Sequence, residues 1–532
     1  MDWECWSVAG AKDLKLLKST VSVGSATIVS RILGFVRDIV FARYFGVSGA
    51  TDAFFLAFKI PNFMRRLFAE GSFSLAFVPV LSEVRATGDH QALKELIDHV
   101  TGTLAGILLI ITAIGILAAP VVLAIFAPGW LLEGRPEFRL SVDMLRITFP
   151  YVLLISLTAL SGGILNTFER FLVPALTPVL LNISLIAAAV LFSGQMEVPV
   201  KALAWGVLAA GVAQLLIQVP ALIRLGVMPR PRWGWRHSGV RKILRLMIPT
   251  LIGSSVAQVN LLLDMVIATF LISGSVTWLY YSDRLMEFPL GIFGVALSTV
   301  ILPNLSRKFT AQSPQAFSAT LDWALRLALI VTLPAALGLA MLAKPILITL
   351  FQYQAFQMND VEMSALSLAA YATGLPAFIA VKVLAPGYYA RQDTRTPVKI
   401  AITAMVSNML LNFLFVGTLV AIGFNGPHTG LALASSAAAY INAVLLYRGL
   451  RRQGIYQPEP GWPRVAGAVV LGSLAMVAAM AWQYGEIHQW AEASAPDRSM
   501  RLSALIGLSM LVYGLVIIAG GLRKHHLVNG AS

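Results

Sequence analysis

The 532-residue chain is 57% hydrophobic and only 12% charged, with a mean hydropathy of +0.76. Soluble globular chains carry about 25% charged residues; half that density cannot clothe a water-facing surface of this size, so the composition indicates an integral membrane protein. The 40 Lys and Arg against 26 Asp and Glu give a formal charge of +14, which in a membrane chain belongs to cytoplasmic loops rather than to nucleic-acid binding. The single cysteine, Cys5, excludes an intramolecular disulfide and a thiolate metal cluster.

The opening MDWECWSVAGAKDLKLLK is not a cleavable signal, because acidic residues interrupt it and the first long apolar run follows Lys18. A bilayer core of about 30 Å takes roughly 20 helical residues per crossing. Two charge-bearing spans are predicted around 20–45 and 49–80. Apolar spans follow near 99–127, 145–168, 172–192, 201–225 and 246–272, then a charged one around 276–304. The series ends near 324–350, 363–388, 398–422, 429–448, 464–482 and 500–520, fourteen spans in all. β-Barrel strands are shorter and alternate in polarity, so the expected fold is an all-α polytopic membrane protein. Basic segments such as VMPRPRWGWRHSGVRK, LSRKFTAQSPQ, YYARQDTRTPVK and RGLRRQG fall at every second turn. That bias puts both termini in the cytoplasm; the APGWLLEGRPEFRL turn, with Arg135 and Arg139, is an exception.

An internal repeat organises the spans. GSATIV, FGVSGATDAFF and FSLAFVPVLS near the start correspond to GSSVAQV, LISGSVTWLYYSD and GVALSTVILPNLS from about residue 250. A weaker pair sets FPYVLL…LNTFERFLVPALTP…LLN against LPAFIA…YYARQDTRTPVKI…LLN. Copies in the same order predict two parallel six-helix lobes, 14–225 and 246–450, a common transporter plan. A basic interfacial linker, 226–245, joins them, with Trp233 and Trp235 at headgroup level, where it anchors the chain and meets anionic lipid. Two additional helices occupy 451–522 and a cytoplasmic tail 523–532.

Ionisable residues at membrane depth are expensive and are functional candidates by default. The first span contains Arg31, Arg37, Asp38 and Arg43. Arg31 and Asp38 are seven apart on a shared face, whereas Arg31 and Arg37 lie about 120° apart on the helical wheel and need a wide cavity. Asp52, Lys59 and Arg66 follow a seven-residue stripe in the second span, but Pro61 disturbs the phase, so the stripe does not decide between Arg65 and Arg66. The corresponding WLYYSDRLMEFPLG places Asp283, Arg284 and Glu287 within one helical cluster. Asp264 is a partner for these cations or a coupling-ion ligand, and Lys382 is a further intramembrane cation. Several cations with fewer anions call for an anionic ligand, and the arginine fork suits phosphate oxygens. HExxH, Walker and GxSxG elements do not occur, so no catalytic residue, cofactor or metal ligand is assigned.

SRILGFVRDIVFARYFG, ATDAFFLAFKIPNFMRRLFAEGSFSLAFVPV, TFPYVLLISLTALSGGILNTFERFLVPALTP, YYSDRLMEFPLGIFGVAL and VKVLAPGYYARQDTRTPVKIA resemble the MurJ (MviN) family. These are lipid II flippases within the multidrug/oligosaccharidyl-lipid/polysaccharide exporter superfamily. The resemblance runs from about residue 14 to 522 and leaves 1–13 as a dispensable leader. It implies fourteen helices, two lobes plus a carboxy-terminal pair, and a bacterial inner-membrane location. It implies export of lipid II, the undecaprenyl-pyrophosphate-linked peptidoglycan precursor, by alternating access of a monomer among membrane lipids and cell-wall synthesis proteins. The family's cavity arginines fall on Arg31, Arg37, Arg65 and Arg284, which selects Arg65 over Arg66; its carboxylates fall on Asp52 and Glu287, with Asp283 beside them. The last two helices would hold the undecaprenyl tail. Energisation by sodium, another cation or the membrane potential is left open. The alternatives are a related polysaccharide-lipid flippase, an ion-coupled exporter, an intramembrane lipid-phosphate transferase and a non-transporting cell-wall scaffold. An exporter of organic cations would want an acidic or aromatic cavity rather than four arginines. A transferase would need a loop cluster of Asp, His or Lys that is not present in the sequence.

Overall fold

A computed structural model describes the backbone of residues 3–65 and 73–521, with side chains except at 3–21, 74, 75, 248–261 and 295. Arg66, Glu70 and the 523–532 tail lie outside the described residues. The regular structure among the described residues is entirely helical, and the chain divides into two compact units, residues 1–270 and 271–532.

The first unit runs α1 (Trp3–Phe45), α2 (Gly49–Arg65), α3 (Ser74–Ala86), α4 (His90–Leu117), α5 (Ala119–Phe126), α6 (Pro128–Leu132), α7 (Pro136–Thr148) and α8 (Tyr151–Thr167). It continues with α9 (Leu172–Ala175), α10 (Thr177–Ala187), α11 (Lys201–Leu216), α12 (Val219–Arg224) and α13 (Ser238–Ala268). The second unit comprises α14 (Ser275–Pro289), α15 (Val295–Thr310), α16 (Pro314–Met341), α17 (Ala343–Phe351), α18 (Met358–Tyr389) and α19 (Arg395–Ala421). It ends with α20 (Thr429–Arg452), α21 (Trp462–Gln483), α22 (Ile487–Glu492) and α23 (Ala495–Ala519). Eleven helices or helix pairs among the described residues are long and apolar enough to cross a membrane. α1, α2 with α3, and α13 fall outside those eleven.

Local chemistry sets the helix ends. Asp89 caps α4 by accepting from the backbone of Gln91 and Ala92, both at 2.9 Å, which satisfies two orphan donors of the first turn. α18 opens on a reciprocal box, with Gln357 N–H donating to Asp360 Oδ2 at 2.9 Å. Pro289 ends α14, and a π-helical turn at Leu290–Gly294 follows it. A proline removes one backbone donor and disfavours the regular ladder there. Gly294 in that turn leaves room for the Lys382 stem, since a Cβ would stand 2.7 Å from Lys382 Cδ.

Each unit has its own core. Phe73, Phe77, Leu93, Ile97, Ile164 and Val240 bring α3, α4, α8 and α13 together in the first. Ile301, Leu321, Ala324, Leu375, Val383 and Leu446 join α15, α16, α18 and α20 in the second.

The helix pair α21–α23 is seated on α16 and α17 by two polar clasps. At one end, buried Asp322 of α16 accepts from Tyr456 Oη and Trp462 Nε1, both at 2.7 Å, and from Glu459 N–H at 3.2 Å. Arg326, one turn on, sits 2.6 Å from Asp322 Oδ2; its Nε–H points off that line, so the contact is an ion pair rather than a hydrogen bond. Arg326 also donates to the carbonyls of Glu459 and Pro460 at 2.9 and 3.0 Å. At the other end, buried Arg498 of α23 donates to the carbonyls of Ile348, Gln352, Ala491 and Ala493. Ile348 and Gln352 are in the last turn and the C-cap of α17, where a cation suits the helix dipole.

Candidate transport site

The ionisable residues of α1 have different surroundings. Arg31 is exposed, and its guanidinium makes no hydrogen bond or ion pair with any described residue. It stands 14 residues before the end of α1, about 21 Å along the axis at 1.5 Å per residue. Arg37 is buried. Its Nε and Nη2 donate to Asp38 Oδ1 at 3.0 and 2.7 Å, and its Nη1 donates to Asn182 Oδ1 at 3.1 Å. Asn182 in turn donates to the Ser30 carbonyl at 3.0 Å, keying α10 into α1. The guanidinium also lies 5.6 Å from the centroid of Phe41. Asp38 shares a face with Arg31 in the sequence, yet Arg37 holds it. Arg31 is two turns away, about 10 Å along the axis, whereas the long Arg37 side chain folds back onto the carboxylate of its chain neighbour.

Asp52 is 1% exposed in the first turn of α2, where the helix dipole favours a carboxylate. Glu137, buried in the first turn of α7, lies over the same helix start. A Cβ at Gly49 would collide with its side chain, 2.8 Å from Cδ, so the glycine admits a second carboxyl there. Ser141 Oγ donates to the Ala53 carbonyl at 3.2 Å and ties α7 to α2. Lys59 and Arg65 are half-buried, and Arg65 Nε donates to Asn62 Oδ1 at 2.9 Å. Asp264 is half-buried near the end of α13.

In the second unit, Arg284 Nη1 pairs with Glu287 Oε2 at 2.9 Å, the two side chains 38% and 48% exposed. Arg284 also donates to Tyr280 Oη at 3.4 Å and lies 5.3 Å from the Tyr280 ring centroid. Asp283 is half-buried on the same turn. Lys382 is half-buried and makes no ion pair among the described residues. Asp360, in the first turn of α18, accepts from Trp278 Nε1 at 3.1 Å, an acid at a helix start facing α14 much as Glu137 faces α2. Against Trp278 packs His428, with ring centroids 5.0 Å apart. The His428 Nε2 lies 3.0 Å from the Met363 carbonyl, and its Nδ1 is buried without a hydrogen bond. Burial lowers the His428 pKa from 6.5 to about 4, against a smaller upward pull from the Met363 carbonyl.

Asn182, Glu137 and Tyr280 were not picked out from the sequence. Asn182 had a signal, since it closes the LLN that recurs at Asn412. Glu137 had none, because its importance comes from a glycine 88 residues earlier. Among the described residues no three His, Cys, Asp or Glu gather as a metal site.

The family model described as "Lipid II flippase MurJ" matches residues 41–500. A Vibrio cholerae protein, "Probable lipid II flippase MurJ", is 46% identical over 519 residues, covering 96% of this chain and 98% of its own. A Burkholderia cenocepacia protein, "Lipid II flippase MurJ", is 43% identical over 473 residues, covering 88% and 90%. Among solved structures, "Lipid II flippase MurJ, inward closed conformation" superposes with a TM-score of 0.77 at 28% identity, covering 93% of this chain and 98% of that one. An inward-facing multidrug resistance transporter of the MATE family and MOP superfamily shares the fold at a TM-score of 0.64 and 14% identity, covering 82% and 98%. The chain belongs to the MurJ family of lipid II flippases.

Proposed function

We propose that the chain carries lipid II from the cytoplasmic to the periplasmic leaflet of the inner membrane by alternating access, without covalent chemistry. The proposal adds α1, α2 with α3, and α13 to the eleven apolar spans, making fourteen crossings. It reads 14–225 and 246–450 as parallel six-helix lobes, α21–α23 as the accessory pair, and both termini as cytoplasmic. The carrier works as a monomer, with residues 1–13 dispensable.

The observation that carries this reading is Arg31, a permanently charged fork deep in α1 and without a partner among the described residues. A cation at that depth is costly unless it meets water or an anion, and a pyrophosphate offers the oxygens that two guanidinium N–H groups match. Arg31, Arg65 and Arg284 are the arms that grip the pyrophosphate. Arg37 adds its charge while holding α1 to α10. Glu287 and Asp52 exchange ion-pair partners as the substrate arrives and leaves; the 2.9 Å Arg284–Glu287 pair is half-exposed, so breaking it costs about 1 kcal/mol or less. Asp38 neutralises Arg37, while Lys59, Asp264 and Lys382 tune the field. Sodium, another cation or the membrane potential drives the cycle.

The test is transbilayer movement of lipid II in proteoliposomes under an imposed potential, with and without a sodium gradient. Movement by the wild type, and loss in folded Arg31→Ala and Glu287→Gln variants, is the expected result. Arg31→Ala transporting at the wild-type rate would overturn the assignment of the pyrophosphate to Arg31.

A further inference from the structure

Asp98, Gly102 and Gly106 recur every fourth residue, so they line one face of α4. The linker between α12 and α13 is laid along that stripe. Arg230 N–H donates to Asp98 Oδ1 at 2.7 Å, and Arg232 N–H donates to the Asp98 carbonyl at 3.0 Å. The Arg232 backbone lies on Gly102, and the Trp233 ring lies on Gly106, where a Cβ would stand 2.6 Å from it. The chain then turns back. Gly234 N–H donates to Thr103 Oγ1 at 3.0 Å. His237 stacks on His99 with centroids 5.0 Å apart, and accepts from Gly239 N–H at 3.2 Å to cap α13. Burial and the neighbouring His99 lower the His237 pKa, and Glu95 partly offsets them.

The linker is therefore a dip with Trp233 at its tip. Gly106 lies two turns beyond Asp98, about 12 Å along the axis, and toward the apolar half of the helix, TLAGILLIITAIGIL. Trp233 and Trp235 are 61% and 50% exposed. Arg230, Arg232 and Arg236 in the dip, and Arg241 and Arg245 on the first turns of α13, are exposed and make no side-chain ion pair among the described residues. The nearby acids are engaged elsewhere: Asp98 with Arg230 N–H, Glu83 with Lys242 at 2.6 Å, Glu95 with Gln91. A hollow of about 820 Å³ opens between His99, Trp233, Gly234, Trp235, Arg236 and His237.

We propose that this dip binds an anionic phospholipid of the cytoplasmic leaflet, with Arg232 and Arg236 on its phosphodiester and Trp233 and Trp235 at its glycerol–acyl boundary. Only the choice of leaflet rests on the orientation proposed above. The chemistry selects the class of lipid: five uncommitted guanidinium groups attract a net negative headgroup and repel the ammonium of a zwitterionic one. The tryptophans select a lipid over a free phosphate, because indoles sit at the membrane–water boundary. The hydrogen-bonded rail on α4 holds these side chains in place before the lipid arrives. Through the His99–His237 stack the dip continues into α13, so an occupied site also steadies the start of that helix.

Native mass spectrometry of the full chain in detergent, titrated with phosphatidylglycerol or phosphatidylcholine, tests this without measuring transport, so its failure and a failure of the flippase reading are separable. The wild type is expected to bind its first phosphatidylglycerol at least tenfold more tightly than phosphatidylcholine. Arg232→Gln with Arg236→Gln, both exposed and so compatible with folding, should reduce that preference below threefold. Trp233→Ala should weaken both lipids, and Arg307→Gln, outside the site, should change neither. Equal binding of the two lipids, or an unchanged preference in the double variant, would overturn the proposal. So would equal competition by glycerol phosphate, or one-for-one displacement by lipid II, which would make the dip a free-phosphate site or the cargo's own.

Discussion

Arg37 and Arg284 carry the same charge, one in each unit, and their surroundings differ. Arg37 is 6% exposed, with both edges of its fork occupied by Asp38 and Asn182. Arg284 is 38% exposed and pairs with Glu287, three residues along its own helix. Removing one member of a buried pair leaves an uncompensated charge in low dielectric, whereas an exposed pair exchanges its partner for water or phosphate at little cost. An arginine at membrane depth is thus a fixture or a handle according to what surrounds it. On the reading proposed above, Arg37 is chiefly a fixture, and Arg31 and Arg284 are handles.

The largest expected effect separates the two kinds. Arg37→Ala should lower unfolding stability by about 3–5 kcal/mol, because Asp38 and Asn182 lose their buried partner. Arg31→Ala should change it by only about 0.5 kcal/mol. Denaturation of both variants in detergent checks this, and equal small effects would make Arg37 a handle as well. Next comes the buried histidine of the second unit. The native His428 stays neutral down to about pH 4, while the unfolded side chain takes up a proton below about pH 6.5. Acidification through that window therefore favours the unfolded state and should cost about 3 kcal/mol. Melting curves from pH 7.5 to 4.5 should show this loss, and His428→Asn should flatten it; an unchanged slope would place the acid sensitivity elsewhere. A small stability effect is also expected of the exposed pair. A double-mutant cycle on Arg284→Gln and Glu287→Gln should give a coupling of about 1 kcal/mol or less. Both single variants should nonetheless lose transport if, as proposed, their partner exchange is part of the cycle. A coupling of several kcal/mol would class Arg284 with Arg37.

Much of this was legible because membrane chemistry is severe. A bilayer forces backbone polar groups into helices, so apolar length alone revealed a polytopic all-α chain. The cost of intramembrane charge singled out Arg31, Arg37, Asp52 and Arg284. The blocks around them were long enough to carry the family. Even the Asp322–Arg326 clasp had the visible spacing of a helical i, i+4 pair, although nothing in that spacing pointed to Tyr456 and Trp462.

Which charges are spent and which are available could not be read along the chain. Arg37 is spent on an asparagine 145 residues away, and Gly49 makes room for a carboxyl 88 residues away. The depth of Trp233 comes from two glycines on another helix. Residue type, spacing and hydropathy are properties of the chain itself, and they determined fold class, the eleven apolar spans and the list of candidate cations. Burial and partnership depend on packing between distant segments, and that alone decided which cations are buried in hydrogen-bonded pairs and which stand exposed.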